Sequence, residues 1–309
     1  MPETTRTLYD CLSAIFCILI LATFTLFILK RNRPHHNWLE LQQRINSWWA
    51  ISCLFSLAMM SPKWLALTLF GLMSFLSLKE YLTFTSARRP ENKSLIFLYA
   101  AVPLQYLWVG MSWHDMYMTF IPIYGFLILP ALMMVTGHPQ GFLRSVTVVY
   151  WGMMMTVFAL SHVAFLLVLP NDNVSVGALL VVFLVVLTEI NDIAQYLWGK
   201  SFGRMKVMPK VSPNKTLAGL LGGVGTTMFL AVLLGPVLTQ MDWLYSLYAG
   251  VIIGLGGFCG DMTMSAIKRD IGVKDTGTLI PGHGGILDRL DSLIYTAPLF
   301  FHFYDYFYN

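Results

Sequence analysis

Charged side chains are scarce in this sequence of 309 residues: they make up 12% of it, whereas 56% of the residues are hydrophobic and the mean hydropathy is +0.64. A soluble globular domain carries about 25% charged residues. The shortage excludes a water-soluble enzyme, a disordered chain and a nucleic-acid-binding module, because each of these needs a polar surface. The apolar residues come in long runs between short charged islands. We therefore expect an all-α, polytopic integral membrane protein.

Cysteine is rare and shows no pattern. The four cysteines all lie in apolar runs and include no Cys-x-x-Cys pair: Cys11, Cys17, Cys53 and Cys259. The sequence therefore supports neither a disulfide framework nor a zinc site. The first apolar run, from about residue 9 to 29, is too long for a signal peptide and lacks a small-residue cleavage site. We expect it to be the first membrane span.

Runs of about 20 mostly apolar residues predict membrane-spanning helices. About ten such runs are present, near 9–29, 46–61, 63–79, 94–111, 117–136, 146–169, 175–198, 217–239, 242–264 and 290–308. The second and third are separated only by Ser61 and Pro62, which predicts a tight hairpin or a re-entrant pair. Glycines inside the ninth run follow no strand, so they predict close helix packing and not a dinucleotide loop: Gly254, Gly256, Gly257 and Gly260.

The basic residues alternate in step with these ten runs. The loops after the odd-numbered runs hold 18 of the 20 lysines and arginines, and only Arg6 and Lys63 fall on the other side. Because basic loops favour the cytoplasmic side, we expect both termini outside and the loops after the seventh and ninth runs in the cytoplasm. The expected location is the cell membrane, which is the inner membrane if the source is bacterial.

Ionisable residues concentrate near the end of the chain, where five of the sixteen acids lie between Asp261 and Asp291. One helical face at the end of the ninth run carries four polar residues: Asp261, Ser265, Lys268 and Arg269. Asp288 and Asp291 are predicted to share one face of the opening turn of the last run. Between these groups, the glycines of 281–285 allow backbone N–H groups to converge on an anion.

Carboxylates that face cations beside a glycine loop suit Mg²⁺ and phosphate groups. The competing interpretation is that these charges only anchor helix ends or form ion pairs. Ionisable residues at membrane depth are costly and usually functional, which favours a site.

Two sequence blocks carry a recognisable pattern. The first, over 265–291, reads Ser-x-hydrophobic-Lys-Arg, four residues, Lys-Asp, a spacer, Pro-x-His-Gly-Gly, then hydrophobic-x-Asp-Arg-hydrophobic-Asp. The second consists of Asp192, Tyr196, Gly199-Lys200, Phe202-Gly203-Arg204, Ser212-Pro213, Lys215-Thr216, Gly219 and Gly222-Gly223. Together they resemble the CDP-diacylglycerol synthase (phosphatidate cytidylyltransferase) family over about residues 185–295. We accordingly divide the chain into N-terminal membrane helices of unassigned role, 1–174, and a C-terminal catalytic membrane domain, 175–309.

The resemblance implies transfer of CMP from CTP to phosphatidate, giving CDP-diacylglycerol and pyrophosphate in phospholipid biosynthesis. It implies Mg²⁺ or another divalent cation as cofactor, held by Asp261, Asp288 and Asp291. The implied catalytic residues are Asp261, Lys268, Arg269, Lys274, Asp275, His283, Asp288, Arg289 and Asp291. The implied substrate-binding residues are Asp192, Ser212, Lys215, Thr216, Ser265, Gly284 and Gly285. The expected partners are CTP, phosphatidate and membrane lipids, with no nucleic acid, and a homodimer is compatible with the sequence.

The sequence departs from the family pattern at two places. Leu217-Ala218 stand where the family usually has Trp and then Glu or Gln, and Gln195 replaces a small residue. Three alternatives remain open: a CTP-using enzyme for another lipid phosphate or polyprenol, a weakly active paralogue, which Leu217-Ala218 would explain, and a transporter. A transporter is disfavoured, because transporters bind near the membrane midplane between repeated halves. Here the charges lie at one edge and no repeat is visible.

Overall fold

The computed structural model describes residues 3–35, 37–85, 92–135, 140–169, 174–277, 279–280, 282 and 284–308. In these ranges the regular elements are the helices α1 (Glu3–Asn32), α2 (Leu39–Met60), α3 (Lys63–Phe84), α4 (Asn92–Gly110), α5 (His114–Met134), α6 (Phe142–Val168), α7 (Val174–Phe202), α8 (Leu217–Leu238), α9 (Trp243–Ile271), α10 (Leu287–Leu290) and α11 (Leu293–Tyr308). Helices α5 and α6 each contain one π-helical turn, at Phe120–Gly125 and Met154–Ala159. The predicted all-α architecture is confirmed.

Each of the ten predicted runs contains a helix. Among the described residues, seven helices are long and apolar enough to cross a membrane: α1, α3 and α5 to α9. The other three runs hold α2, which opens with a polar turn, α4, whose apolar part Ser94–Gly110 is shorter, and α11, which has 16 residues. The second and third runs are a helical hairpin joined at Ser61 and Pro62. The protein is a polytopic membrane protein.

Helix α9 carries much of the predicted site, and capping residues set its ends. The Oδ1 of Asp242 accepts the N–H groups of Leu244 and Tyr245 at 3.0 and 2.9 Å, which begins the helix. Gly272, with φ of 83°, ends it in the left-handed conformation that favours glycine. The helix therefore continues well beyond the predicted boundary at 264, and Lys268 lies on its last turns.

Small residues bring α7, α8, α9 and α11 together. Helix α8 packs against α7 and α9, and α11 packs against α9 and α6. A Cβ at Gly254 would lie 3.1 Å from the Cα of Val224, and one at Gly260 would collide with the backbone oxygen of Asp291. The predicted packing role of the glycines in α9 is confirmed.

Asn191 joins three of these helices. This fully buried residue of α7 donates from Nδ2 to the carbonyl of Gly254 on α9 at 3.3 Å, and its Oδ1 accepts from Thr227 Oγ1 on α8 at 3.2 Å. An amide inside an apolar bundle needs such partners, because unpaired polar groups are costly there. Asp192 is the next residue, so this network fixes its position.

The last predicted run is interrupted, which corrects the expected continuous helix over 290–308. The backbone N–H of Ser292 donates to Asp291 Oδ1 at 2.8 Å, and α11 begins only at Leu293. Asp288 lies on the short helix α10, whereas Asp291 lies in the break. The opening turn of the predicted run is therefore a separate short helix, with Asp291 as its C-cap residue in helical backbone conformation.

The N-terminal helices pack directly against the C-terminal ones. Helix α6 is central, with every residue from Leu160 to Val168 buried, and it contacts α3, α4, α7 and α11. Helix α3 also reaches α10. The N-terminal half thus touches the segment that carries the strongest family pattern.

Candidate active site

An ion pair between Lys215 and Asp261 lies where the segment leading into α8 meets α9. Lys215 Nζ contacts Asp261 Oδ2, and the two side chains are 22% and 20% exposed. Lys215 also donates to Gln195 Oε1 at 3.1 Å, and Ser265 Oγ donates to Asp261 Oδ1 at 3.3 Å. The predicted common face of Asp261 and Ser265 is therefore present.

Three carboxylates, those of Asp192, Asp261 and Asp291, form what we call the aspartate cluster. Asp192 Oδ2 accepts from Ser292 Oγ at 2.8 Å, and the three acids are close enough to repel one another electrostatically. Asp192 Oδ1 is buried and has no hydrogen-bond partner among the described residues. The cluster thus brings three carboxyl groups together, and one of their oxygens has no protein donor in the described part of the chain.

The described residues include no group of three or more His, Cys, Asp or Glu side chains arranged to hold a metal ion. The aspartate cluster nevertheless has the chemistry of a Mg²⁺ site, because it offers hard carboxylate oxygens and one of them is buried without a partner. Mg²⁺ commonly binds one or two carboxylates and completes its shell with water and phosphate oxygens. The donor set fits that arrangement.

Asp288 lies apart from the cluster and is enclosed by donors. Its Oδ1 accepts from Lys268 Nζ at 2.8 Å, and its Oδ2 accepts the N–H groups of Thr276 and Gly285 at 2.9 and 3.0 Å. Burial raises the pKa of Asp288, but the bonds from Lys268 and the two N–H groups outweigh it, so the pKa lies below its ordinary value. Asp288 is a charged residue whose oxygens already have protein partners.

Gly284 and Gly285 lie against two protein carboxylates. Gly284 has φ of 82°, and its carbonyl accepts the N–H of Ile280 at 2.9 Å. A Cβ at Gly284 would lie 2.6 Å from Asp288 Oδ2, and one at Gly285 would collide with an oxygen of Glu80. Of the glycine N–H groups predicted to bind an anion, that of Gly285 donates to Asp288, while the next two N–H groups, of Ile286 and Leu287, donate to Glu80.

Glu80 is a residue that the sequence reasoning missed. It lies near the end of α3 and accepts the hydroxyl of Thr276, the N–H of Ile286 at 2.9 Å and the N–H of Leu287 at 3.0 Å. Its partners are 196 to 207 positions away along the chain, so no local spacing connects them. The available signal was that Glu80 is the one acid within the apolar helix α3.

Four other predicted catalytic residues lie nearer the surface. Arg269 donates to the carbonyls of Val211 and Val273 at 3.4 and 3.2 Å, which ties the end of α9 to the segment before α8. The other three have exposed side chains: Lys274, Asp275 and Arg289. Arg289 interacts electrostatically with Asp192. His283 lies outside the described residues.

The predicted residues Ser212 and Thr216 shape the segment that presents Lys215. The N–H of Lys215 donates to the carbonyl of Ser212 at 3.3 Å, which closes a turn. Thr216 is the N-cap of α8, where its Oγ1 accepts the N–H of Gly219 at 3.1 Å. Lys215 is thus held between a turn and a helix cap.

The two departures from the family pattern lie on either side of this segment. Gln195 is buried, and its Nε2 has no hydrogen-bond partner in the described part of the chain. Ala218 lies in the first turn of α8. Besides Asp261, the polar group that contacts Lys215 is therefore the amide of Gln195 on α7.

Comparison with known proteins agrees with these features. A family model described as "Cytidylyltransferase family" matches residues 42–307. The chain is 54% identical to an uncharacterised protein, YnbB, of Escherichia coli (strain K12), over 96% of this chain and 97% of that protein.

It is also similar to proteins named phosphatidate cytidylyltransferase. The one from Synechocystis is 42% identical over 43% of this chain and 45% of that protein, and the one from Bacillus subtilis (strain 168) is 40% identical over 36% and 41%. These matches span less than half of the named proteins.

Proposed function

Because the chain belongs to the cytidylyltransferase family, we propose that this membrane nucleotidyltransferase moves CMP from CTP to phosphatidate and releases pyrophosphate. The observation that carries the proposal is the family match over 42–307, which includes the ion pairs Lys215–Asp261 and Lys268–Asp288. The similarity to phosphatidate cytidylyltransferases supports phosphatidate as the acceptor.

The proposed reaction is an in-line displacement at phosphorus. A phosphate oxygen of phosphatidate forms a bond to the α-phosphorus of CTP, and the bond from that phosphorus to the β-phosphate oxygen breaks. The attacking oxygen is already anionic, so the protein supplies no covalent group and needs no base to generate the nucleophile. Its task is to align the two phosphates and to offset their charge.

Fixed cations supply part of that charge compensation. Lys215 and Lys268 are each held on a carboxylate and mostly buried, so their ammonium groups occupy defined positions before substrate binds. Preorganised charges of this kind stabilise a transition state without reorganising during the reaction. The exposed Lys274 and Arg289 lie at the edge, where they would meet the outer phosphates of the nucleotide.

We propose that the aspartate cluster holds a divalent cation, Mg²⁺ in the first instance. Asp261 and Asp291 would be its protein ligands, with Asp192 in support and Asp288 holding Lys268. When bound, the cation would polarise phosphate oxygens and stabilise the pyrophosphate leaving group.

The proposed setting is the cytoplasmic face of the cell membrane. The charged residues of the site lie in the C-terminal halves of α7 and α9, and these helices lead into the basic segments that the positive-inside rule assigns to the cytoplasm. A site at that edge would receive CTP from water and the lipid phosphate from the adjacent leaflet.

A labelled-nucleotide assay tests the reaction directly. Purified protein in detergent is given phosphatidate and CTP labelled at either the α- or the γ-phosphate, with and without Mg²⁺. We expect the α label in a lipid product and the γ label in pyrophosphate, both only with Mg²⁺. Release of γ label as inorganic phosphate, or no lipid label at all, contradicts the proposal.

A second acceptor is favoured by the site beside Lys215. The buried Gln195 amide and the apolar Ala218 alter the polarity next to a proposed phosphate contact. The same assay with a polyprenyl phosphate in place of phosphatidate decides between the two lipids. A higher kcat/KM for the polyprenyl phosphate would assign the protein to that alternative.

A further inference from the structure

The carboxylate of Glu80, on the N-terminal helix α3, binds residues of the first family block, 265–291. Two backbone N–H groups, from Ile286 and Leu287, and one hydroxyl, from Thr276, donate to it. These two N–H groups belong to the start of α10, where a helix has no backbone acceptors of its own. A side chain from α3 thus caps α10 from a distant part of the chain.

Thr276 lies between two acids, Glu80 and Asp288, and donates a hydrogen bond to each. Thr276 Oγ1 lies within hydrogen-bond distance of an oxygen of each acid, but a hydroxyl carries one proton. Asp288 Oδ2 already accepts two N–H groups, and Glu80 is the nearer of the two acids. The hydroxyl proton is therefore assigned to Glu80, while Asp288 takes the backbone N–H of the same residue.

The surrounding glycines leave room for this carboxylate. A Cβ at Gly277 would lie 3.1 Å from Glu80 Oε2, and a Cβ at Gly285 would collide with Glu80 Oε1. The segment therefore closes tightly around Glu80, and nothing larger than hydrogen fits at Gly285. The three donors and the two close glycines together form a specific binding site for this carboxylate.

The held segment leads directly to the charged pair of the site. Asp288 follows Leu287, and it receives Lys268 at 2.8 Å. We propose that Glu80 is a positioning residue of the cytidylyltransferase: it fixes Thr276, Ile286 and Leu287 so that Lys268 and Asp288 keep the geometry in which the nucleotide is used. This inference rests on the proposed function for the use of CTP, and not for the identity of the lipid acceptor.

Two substitutions at Glu80 separate positioning from simple stabilisation. Glu80→Gln replaces one carboxylate oxygen by an NH₂ group, which faces the donors of Thr276, Ile286 or Leu287 and loses at least one bond. Glu80→Asp keeps the charge but shortens the reach. The matched control is Glu3→Gln, which makes the same chemical change at an exposed residue of α1.

Three measurements are made on each purified full-length variant. Hydrogen exchange of the peptide around 276–290 reports the held segment, equilibrium binding of labelled CTP reports the nucleotide site, and kcat and KM with CTP report turnover. For Glu80→Gln we expect hydrogen exchange at Ile286 and Leu287 to become about tenfold faster or more, and kcat to fall by about ten- to a hundredfold. We expect the exchange rate and kcat of Glu80→Asp to lie between those of the wild type and Glu80→Gln. Glu3→Gln should match the wild type in both.

The outcomes are distinct. Unchanged exchange around 286–287, or faster exchange with unchanged kcat and CTP affinity, overturns the positioning role, and so does exchange that rises equally in every helix. If wild-type protein binds CTP but does not use phosphatidate, the proposed acceptor fails, while exchange and CTP affinity still decide the role of Glu80. If wild-type protein binds no CTP, both are overturned. If Glu80→Gln does not accumulate, Thr276→Val removes the shared hydroxyl and is expected to show the same local exchange and a smaller loss of kcat.

Discussion

Replacing Gly285 by alanine tests the crowding around Glu80 with a single methyl group. A Cβ there would lie well inside 3.0 Å of both Glu80 Oε1 and Thr276 Oγ1, a distance that side-chain carbons do not reach. Either the carboxylate or the segment must move, and each movement breaks hydrogen bonds. Gly285 does not have a positive φ, so the effect is steric and not conformational.

The expected loss of stability is about 3 kcal/mol, since overpacking costs about 1–3 kcal/mol and a lost hydrogen bond to a charged group about 1.5–3 kcal/mol. The control is Gly225→Ala in α8, where a Cβ meets nothing within 4 Å. That change is expected to stabilise by about 0.5–1 kcal/mol, because alanine is the better helix former. The two Gly→Ala changes therefore have opposite signs.

Unfolding in mixed micelles, followed by tryptophan fluorescence during titration with SDS, measures both variants. The double variant Gly285→Ala/Glu80→Ala adds a check, because removing the obstructing carboxylate should make the alanine less harmful than in the single variant. If the free energies of unfolding of Gly285→Ala and Gly225→Ala differ by less than about 0.5 kcal/mol, the steric argument at Gly285 is refuted.

Three further predictions concern the site and its orientation. Asp261→Asn should lower kcat by about a hundredfold or more with little change in stability, because it removes a proposed cation ligand from a partly exposed pair. Near-wild-type turnover in this variant would contradict the role of Asp261 as a cation ligand. Asp288→Asn should lower both kcat and stability, because its new NH₂ group must face N–H or Lys268 donors. In a cysteine-free background, Lys274→Cys should resist an impermeant thiol reagent in intact cells and react after lysis, whereas labelling from outside would overturn the cytoplasmic placement. Ala218→Glu should change the kcat/KM ratio of CTP over dCTP or the rate with phosphatidate, and a null result at normal expression would make Ala218 a packing residue.

The sequence allowed the helices and one side of the site to be predicted, because those features depend on local spacing. Apolar runs located every described helix that crosses or borders the membrane region. The spacing of Asp261 and Ser265 placed them on one face, and the structure joins them by a hydrogen bond. Helix periodicity is a short-range property, so it survives without any knowledge of tertiary contacts.

The main missed feature of the site, Glu80, depends on contacts between distant residues. Glu80 meets its partners across about two thirds of the chain, and no spacing rule links them. The break at Asp291 and Ser292 was missed for a different reason: the apolar pattern continues through it, while Asp291 Oδ1 accepts the backbone N–H of the next residue just before α11 begins. Local side-chain bonds to the backbone compete with helix formation in this way.

The pairing of Lys215 with Asp261 and of Lys268 with Asp288 has a consequence for how ligands arrive. Each ammonium group already has a counter-ion, and Asp192 and Asp291 lie near Asp261 in the same cluster. A free nucleoside triphosphate would therefore have to compete with these carboxyl groups for Lys215 and Lys268. A triphosphate that carries its own divalent cation meets the opposite situation, since the cation is attracted by the carboxylates while the phosphates face the lysines. With the proposed cation bound by the carboxylates, the two ligands would be thermodynamically linked: each would raise the affinity of the site for the other by the same factor.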